Sequence, residues 1–362
     1  MLKGVWGFIR REKGYVALFV FLSILYAGFW ALYQSSPEKK ERSPALQELE
    51  EAEKRWQAKV SDSEALKKYF RDHPVLSILF QVFSLLIVVA IGLGLFIDFI
   101  VLFKPGWRRN FFQRRAPPGP SVAWGMPMLF KAFVLAMAVS FLLGGVTGLL
   151  KQFLFPQLSL NVFALIHTTL LEIFCFMIVL YLVYRYQGTW RDLGFRIARK
   201  DFFKETAVGI AGYLGVLPIF FGVLIVLVIV AHALGYEPPP HPLVEVFLEE
   251  EKRAPGLVIY SIVLASLIGP VFEEIFFRGF CYPIFKSRWG VGWAMVLSAA
   301  FFALIHHNQF AFIPIFILGL GLAFLYEKRG NLVAPIALHV FHNSIFIGYF
   351  FLVKQILLQE GA

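Results

Sequence analysis

The feature that most constrains this chain is a succession of apolar runs, each close to the roughly 20 residues that an α-helix needs to cross a bilayer. They recur from Tyr15 to the C-terminal region and are separated by short, mostly basic loops. With 58% hydrophobic side chains, 16% charged residues and 41 Phe among 362 residues, the chain has no soluble globular composition. Inside hydrocarbon every backbone N–H and C=O has to be paired within its own segment, which favours helices. The expected fold class is therefore all-α, a polytopic transmembrane helical bundle of about nine spans.

The spans fall near 15–33, 75–103, 126–149, 161–184, 207–234, 256–285, 291–307, 312–327 and 332–352. Lys3, Arg10, Arg11 and Lys13 precede the first span, which places the N-terminus in the cytoplasm. That span lacks a small-residue cleavage site and reads as an anchor rather than a removable signal. Basic loops at Lys104–Arg115, Arg185–Lys204, Lys286–Arg288 and Lys328–Arg329 fall on the same side. The net charge of +10 is accounted for by this bias, and nucleic acid is not an expected partner; the lipid bilayer is. The Ala116-Pro-Pro-Gly-Pro120 stretch breaks helix, and the acidic, Pro-rich loop 235–253 belongs outside.

The polar insert 34–73 carries nine acids and nine bases between Glu38 and Asp72. Leu46, Leu49, Glu50, Glu53 and Lys54 are spaced for an amphipathic surface helix. Gly319 and Gly321 allow close helix approach in the eighth span. Cys175 and Cys281 are the two cysteines, which supports neither a disulfide framework nor a cysteine-ligated zinc site.

Against this apolar background, residues 268–343 place ionisable groups inside spans. Glu273, Glu274 and Arg278 lie in one, His306 and His307 end another, and His339, His342 and Asn343 lie in the last. Intramembrane ionisable residues are costly and default to a functional reading. Glu274 and Arg278 are four apart and can pair along one helix face. Glu273 is rotated about 100° from that face. A desolvated carboxylate beside another suits a general base or acid. His306 can share a water with it, and His339 and Asn343, one turn apart, can donate to a developing oxyanion. Glu273 and His306 flank Gly290 at nearly equal sequence distance, so a helical hairpin carries both about 25 Å along its arms.

Metal ligation competes with this reading. Glu273, Glu274, His306 and His339 form a carboxylate and imidazole set of the type that holds Zn2+. The His-Glu-x-x-His motif and its inverse are absent, and metal-independent glutamate chemistry is the favoured expectation. His167 and Glu172 in the fourth span read as bundle hydrogen-bonding groups, and His232 and His241 flank the outer loop without a motif.

These residues resemble the CAAX prenyl protease 2 family of intramembrane proteases, also called CPBP or Abi. Its pattern of Glu-Glu-x-x-x-Arg, Phe-x-x-x-His and His-x-x-x-Asn reads here as Glu273, Glu274, Arg278; Phe302, His306; His339, Asn343. Phe277-Arg278-Gly279, Gly319-Leu320-Gly321 and Asn331–Pro335 also look like the family. The resemblance covers about 256–352 and implies a catalytic region there; the N-terminal transmembrane region over 1–255, with the polar insert 34–73, and a short tail over 353–362 lie outside it. It implies an endopeptidase in which Glu273 and His306 activate water, with Glu274 in the catalytic set, His339 and Asn343 stabilising the oxyanion, and Arg278 and Phe302 in support. The expected substrate is a membrane-associated protein or peptide. The expected location is the plasma (inner) membrane of a bacterium. The alternative is a non-enzymatic scaffold or immunity-type protein whose polar residues bind a partner's transmembrane helix. Loop charges put the site in the outer half of the membrane, whereas eukaryotic relatives process cytosolic C-termini. Either the helices around Pro270 are broken and the site lies shallower, or the chain cuts on the outer side, and an extracytoplasmic opening is the expectation here.

Overall fold

The structure is a computed structural model that describes residues 2–35, 43–106, 124–196, 199–236, 238 and 242–358. The Pro-rich linker 116–120, the arginines of 108–115 and His241 lie outside the described residues. Among the described residues all regular structure is helical. In chain order the helices are α1 (Leu2–Arg11), α2 (Lys13–Ser35), α3 (Pro44–Val60), α4 (Ser63–Asp72), α5 (Pro74–Phe103), α6 (Met126–Leu149) and α7 (Leu160–Arg185). Then follow α8 (Phe202–Ala233), α9 (Pro242–Arg253), α10 (Pro255–Val263), α11 (Gly269–Glu274), α12 (Tyr282–Leu304), α13 (Phe312–Arg329) and α14 (Val333–Leu358). π-helical turns follow α6 at Leu150–Leu154, join α10 to α11 at Leu264–Ile268 and join α11 to α12 at Ile275–Cys281.

Seven helical segments among the described residues are long and apolar enough to cross a membrane, against the nine spans expected. The difference has two sources. The 50-residue segment Pro255–Leu304 contains two expected spans, and Gly290 turns the chain between them with φ 79°. That left-handed backbone is open to glycine without the steric cost of a Cβ. The eighth expected span is α13, only 18 residues long and ending in Glu327, Lys328 and Arg329, so it falls outside the seven. The chain is an integral, multi-pass membrane protein.

Two compact units interleave along the sequence: residues 1–41, 118–195 and 272–294 form one, and 42–117, 196–271 and 295–362 the other. In the first unit, Glu12 pairs with Lys131 at 2.9 Å. The Lys131 ammonium also donates to the Tyr186 hydroxyl at 2.9 Å. This ties the start of α2 to α6 and the end of α7.

In the second unit the insert forms two helices. Ser43 caps α3 by accepting from the Leu46 N–H at 3.3 Å, and Asp62 caps α4 by accepting from Glu64 at 3.0 Å. Leu46 and Ala52 are buried while Glu48, Glu51, Glu53 and Lys54 are exposed, as an amphipathic surface helix requires. The buried Tyr69 hydroxyl of α4 donates to the Ile356 carbonyl of α14 at 2.8 Å. Glu251 of α9 pairs with the buried Lys354 of α14. The insert therefore packs on the far end of the helix that carries His339 and Asn343.

The near end of α14 is fixed as tightly. Arg329 closes α13 with a two-pronged bond to Glu205 of α8. Asn331 then accepts from the Val333 N–H at 2.9 Å, so its side chain opens α14. Along α13, a Cβ on Gly319 would lie 3.0 Å from the Ala299 backbone, and one on Gly321 would lie 2.6 Å from Val216. Both are close approaches, as their spacing predicts.

Candidate active site

The candidate carboxylates Glu273 and Glu274 belong to the first unit. Glu274 ends α11 and Arg278 lies in the π-helical turn that follows it. The Arg278 Nη1 donates to Glu274 Oε1 at 2.9 Å, and both side chains are 0% exposed. This is the expected i,i+4 pair, sealed from solvent. A buried ion pair is strongly destabilised by loss of one partner, so the two residues hold each other in place. The Arg278 guanidinium also lies over the Phe277 ring, 5.9 Å from its centroid. A Cβ on Gly279 would meet the Leu193 carbonyl oxygen at 2.5 Å, so only glycine lets this turn lie against the loop after α7. Glu273, one position before the sealed pair, is half-buried instead.

The candidate imidazoles His306 and His339 belong to the second unit. At the end of α12 the backbone tightens: Ile305 bonds to Phe301, but His306 bonds to Ala303 and His307 to Leu304. These bonds pass over the Phe302 carbonyl, one of the acceptors that a helix C-terminus leaves over. The His306 ring takes it, with Nδ1 2.7 Å from the Phe302 oxygen. A carbonyl only accepts, so Nδ1 carries the hydrogen. In the neutral ring Nε2 then holds the lone pair. The Phe302 ring packs edge-on against His306 at 4.9 Å and against His339 at 5.5 Å. Phe302 and His339 are 1% and 2% exposed, so this phenyl ring locks both imidazoles. Asn343 donates from Nδ2 to the Ala265 carbonyl at 2.8 Å.

The remaining candidates separate. His167 meets the expectation of a bundle hydrogen bond, donating from Nε2 to the Ser140 carbonyl at 3.3 Å. Glu172 departs from it: its Oε2 is buried with no hydrogen-bond partner among the described residues. It lies one turn before Phe176, whose ring packs on Phe272 at 5.3 Å, next to Glu273 in sequence. His342 turns away from the candidate face and packs against Tyr213, Phe220 and Phe346. Among the described residues, no group of three or more His, Cys, Asp or Glu side chains is arranged to hold a metal ion.

A break around Pro270 is one of the sequence alternatives, and the helix is widened there into the π-helical turn Leu264–Ile268. Sequence reasoning missed the second π-helical turn, the Ala265 carbonyl and the Leu193 loop. Pro270 is the signal for the Ala265 carbonyl, since a proline inside a helix frees carbonyls behind it.

Comparison with known proteins agrees with the motifs. Residues 255–345 match the family model for the type II CAAX prenyl endopeptidase, Rce1-like. A Bacillus subtilis (strain 168) protein named "Putative membrane peptidase YdiL" is 26% identical over 86 residues. The match spans 24% of this chain and 35% of that protein. No solved structure matches the chain. Residues 255–345 are therefore similar to the Rce1-like family of type II CAAX prenyl endopeptidases.

Proposed function

We propose that the chain is an intramembrane endopeptidase that hydrolyses a peptide bond of a membrane-associated protein or peptide. Glu273 and His306 activate the water. The proton leaves water for this pair as the oxygen attacks the scissile carbonyl carbon. His339 and Asn343 stabilise the resulting oxyanion. The proton then passes to the leaving amine as the C–N bond breaks. Positioned general acid–base groups contribute about 10²–10⁴-fold, and an oxyanion donor about 10²–10³-fold.

The observation that carries this reading is the difference in burial between neighbouring glutamates. Glu274 is fully buried against Arg278, whereas Glu273 is only half-buried. A scaffold that needs one neutralised carboxylate has no use for the second. The His306 tautomer adds support, because its Nε2 lone pair is the proton acceptor the reaction needs. Shared action of Glu273 and His306 on one water is drawn from the family motifs and from their similar sequence distance to Gly290.

The reading needs no metal. Glu274 would be one of four zinc ligands in the competing scheme, and its Oε1 is bonded to a sealed guanidinium. The test is cleavage of membrane-anchored peptide libraries by the protein in proteoliposomes, with and without a strong chelator, and with zinc content measured. Cleavage that survives the chelator, without stoichiometric zinc, is the expected result. Zinc near one per chain, with activity restored on its return, would overturn the metal-free scheme.

The site is proposed to open to the extracytoplasmic side, with the N-terminus in the cytoplasm of a bacterium. Cysteine at Asn308 or Gln309, in a Cys175→Ser background, is then labelled by an impermeant thiol reagent on intact cells. Labelling only after the cells are opened reverses the assignment.

A further inference from the structure

The helix that leads into the carboxylate segment is widened just before Pro270. In the π-helical turn Leu264–Ile268 the Gly269 N–H donates to the Leu264 carbonyl, five residues back. An α-helical Gly269 would have donated to Ala265 instead. The next donor that the π pattern brings to Ala265 is the backbone nitrogen of residue 270. That residue is proline, which has no N–H. The Ala265 carbonyl is thus passed over twice by its own helix, once by the widened register and once by the missing hydrogen.

Asn343 of α14 supplies the missing donor, from Nδ2 at 2.8 Å. The carbonyl also fixes which way the amide faces, because only the nitrogen end can donate to it. A side-chain amide is planar and carries two N–H groups. Once one of them is held by Ala265, the direction of the other is set within that plane. Ser266 next door does not compete for Asn343, since its hydroxyl donates to the Ile262 carbonyl at 2.7 Å.

We propose that Pro270 is a positioning residue: by withholding an N–H it keeps the Ala265 carbonyl open, and that carbonyl aims the second N–H of Asn343 at the oxyanion. The proposal rests on the reading of Asn343 as an oxyanion donor. Pro270 itself touches no reacting atom. Its effect passes through one backbone oxygen to one side-chain amide.

Pro270→Ala returns the N–H and gives Ala265 a partner in its own helix. Asn343 is then released to rotate. The expected loss in kcat is about tenfold, smaller than the roughly 10²–10³-fold for deleting an oxyanion donor, with KM unchanged. Thermal stability changes little, because the Ala265 carbonyl exchanges one hydrogen-bond donor for another. In an Asn343→Leu background the same substitution has no further effect on kcat, since the two act through one contact. Lactic acid in place of Pro270, introduced by nonsense suppression, has an ester oxygen where alanine has N–H. It is expected to rescue the kcat lost in Pro270→Ala.

A second measurement does not depend on activity. Ala265-Ser266 is the only Ala-Ser step in the sequence. Carbonyl-¹³C alanine combined with ¹⁵N serine therefore yields one correlated NMR signal, that of the Ala265 carbonyl. Asn343→Leu should move this signal upfield, as for a carbonyl losing its donor. In the Pro270→Ala protein the signal should no longer respond to residue 343. Wild-type kcat in Pro270→Ala, or an Ala265 signal indifferent to Asn343→Leu in the otherwise native protein, overturns the proposal. A protein that never cleaves removes the catalytic role together with the protease reading, while the carbonyl signal still decides whether Pro270 governs Asn343.

Discussion

Glu274 and His306 are each held by a partner four residues away in sequence, Glu274 by the Arg278 side chain and His306 by the Phe302 backbone carbonyl. The first clamp joins two charges with no solvent exposure. Breaking it strands a charge in an apolar interior. The second clamp uses a carbonyl that a tightened helix end leaves over, and Asn343 is held in the same manner by a carbonyl that Pro270 leaves over. Losing an imidazole or amide there strands no charge. Stability and chemistry should therefore separate between the two regions: the carboxylate turn governs whether the segment holds together, and the imidazole and amide groups govern whether it reacts.

The largest effect that tests this contrast is on stability. Arg278→Ala should cost about 3–5 kcal/mol, read as a large drop in detergent melting temperature or as loss of the protein from the membrane. Replacing the pair with Arg278→Met and Glu274→Leu together should recover most of that stability, because no charge is left behind. If the single variant melts like wild type, the pair is not what holds the turn. Next comes His306→Ala, with a loss in kcat of at least about 10²-fold and a small change in melting temperature. A melting temperature that falls as far as in Arg278→Ala would erase the distinction between the regions.

Phe302→Leu sharpens the same contrast at smaller scale. It keeps the carbonyl that holds His306 but removes the ring that packs on His306 and His339. A fall in kcat of about tenfold with little change in KM is expected, as for reacting groups allowed to drift from their aligned geometry. The smallest effect lies farthest away. Tyr69→Phe removes one hydrogen bond between the insert and the end of α14, at a cost of about 1 kcal/mol in stability. Its kcat should stay close to wild type, because Asn331 and the Arg329–Glu205 pair still anchor the near end of that helix.

Much of this was legible from the residues alone. Apolar run length marked the spanning helices α2, α5 to α8 and α10 to α14, because backbone pairing in hydrocarbon leaves few alternatives, whereas α9 falls in the acidic stretch 235–253 that reads as a loop. The Glu274–Arg278 pair followed from an i,i+4 spacing that the following π-helical turn does not disrupt. The close approaches at Gly319 and Gly321 followed from small residues on a spanning helix. The supports of His306 and Asn343 were not legible, since both are backbone carbonyls, which every residue has. Only the local hydrogen-bond register decides which carbonyl is left over. The span count differed because length and apolarity do not register the Gly290 turn and α13 ends in three charged residues. Glu172 was read as a hydrogen-bonded bundle residue, but helical spacing shows which face a side chain is on and not whether a partner waits there.

The central claim is that Glu273 takes part in peptide-bond hydrolysis, and it is tested most directly by comparing protein termini in membrane fractions. Cells producing the wild-type chain, Glu273→Gln or His306→Ala at equal levels are compared by mass spectrometry of N- and C-termini. A set of termini present with the wild type and absent with both variants is the predicted result. Termini that persist unchanged with Glu273→Gln would contradict the account.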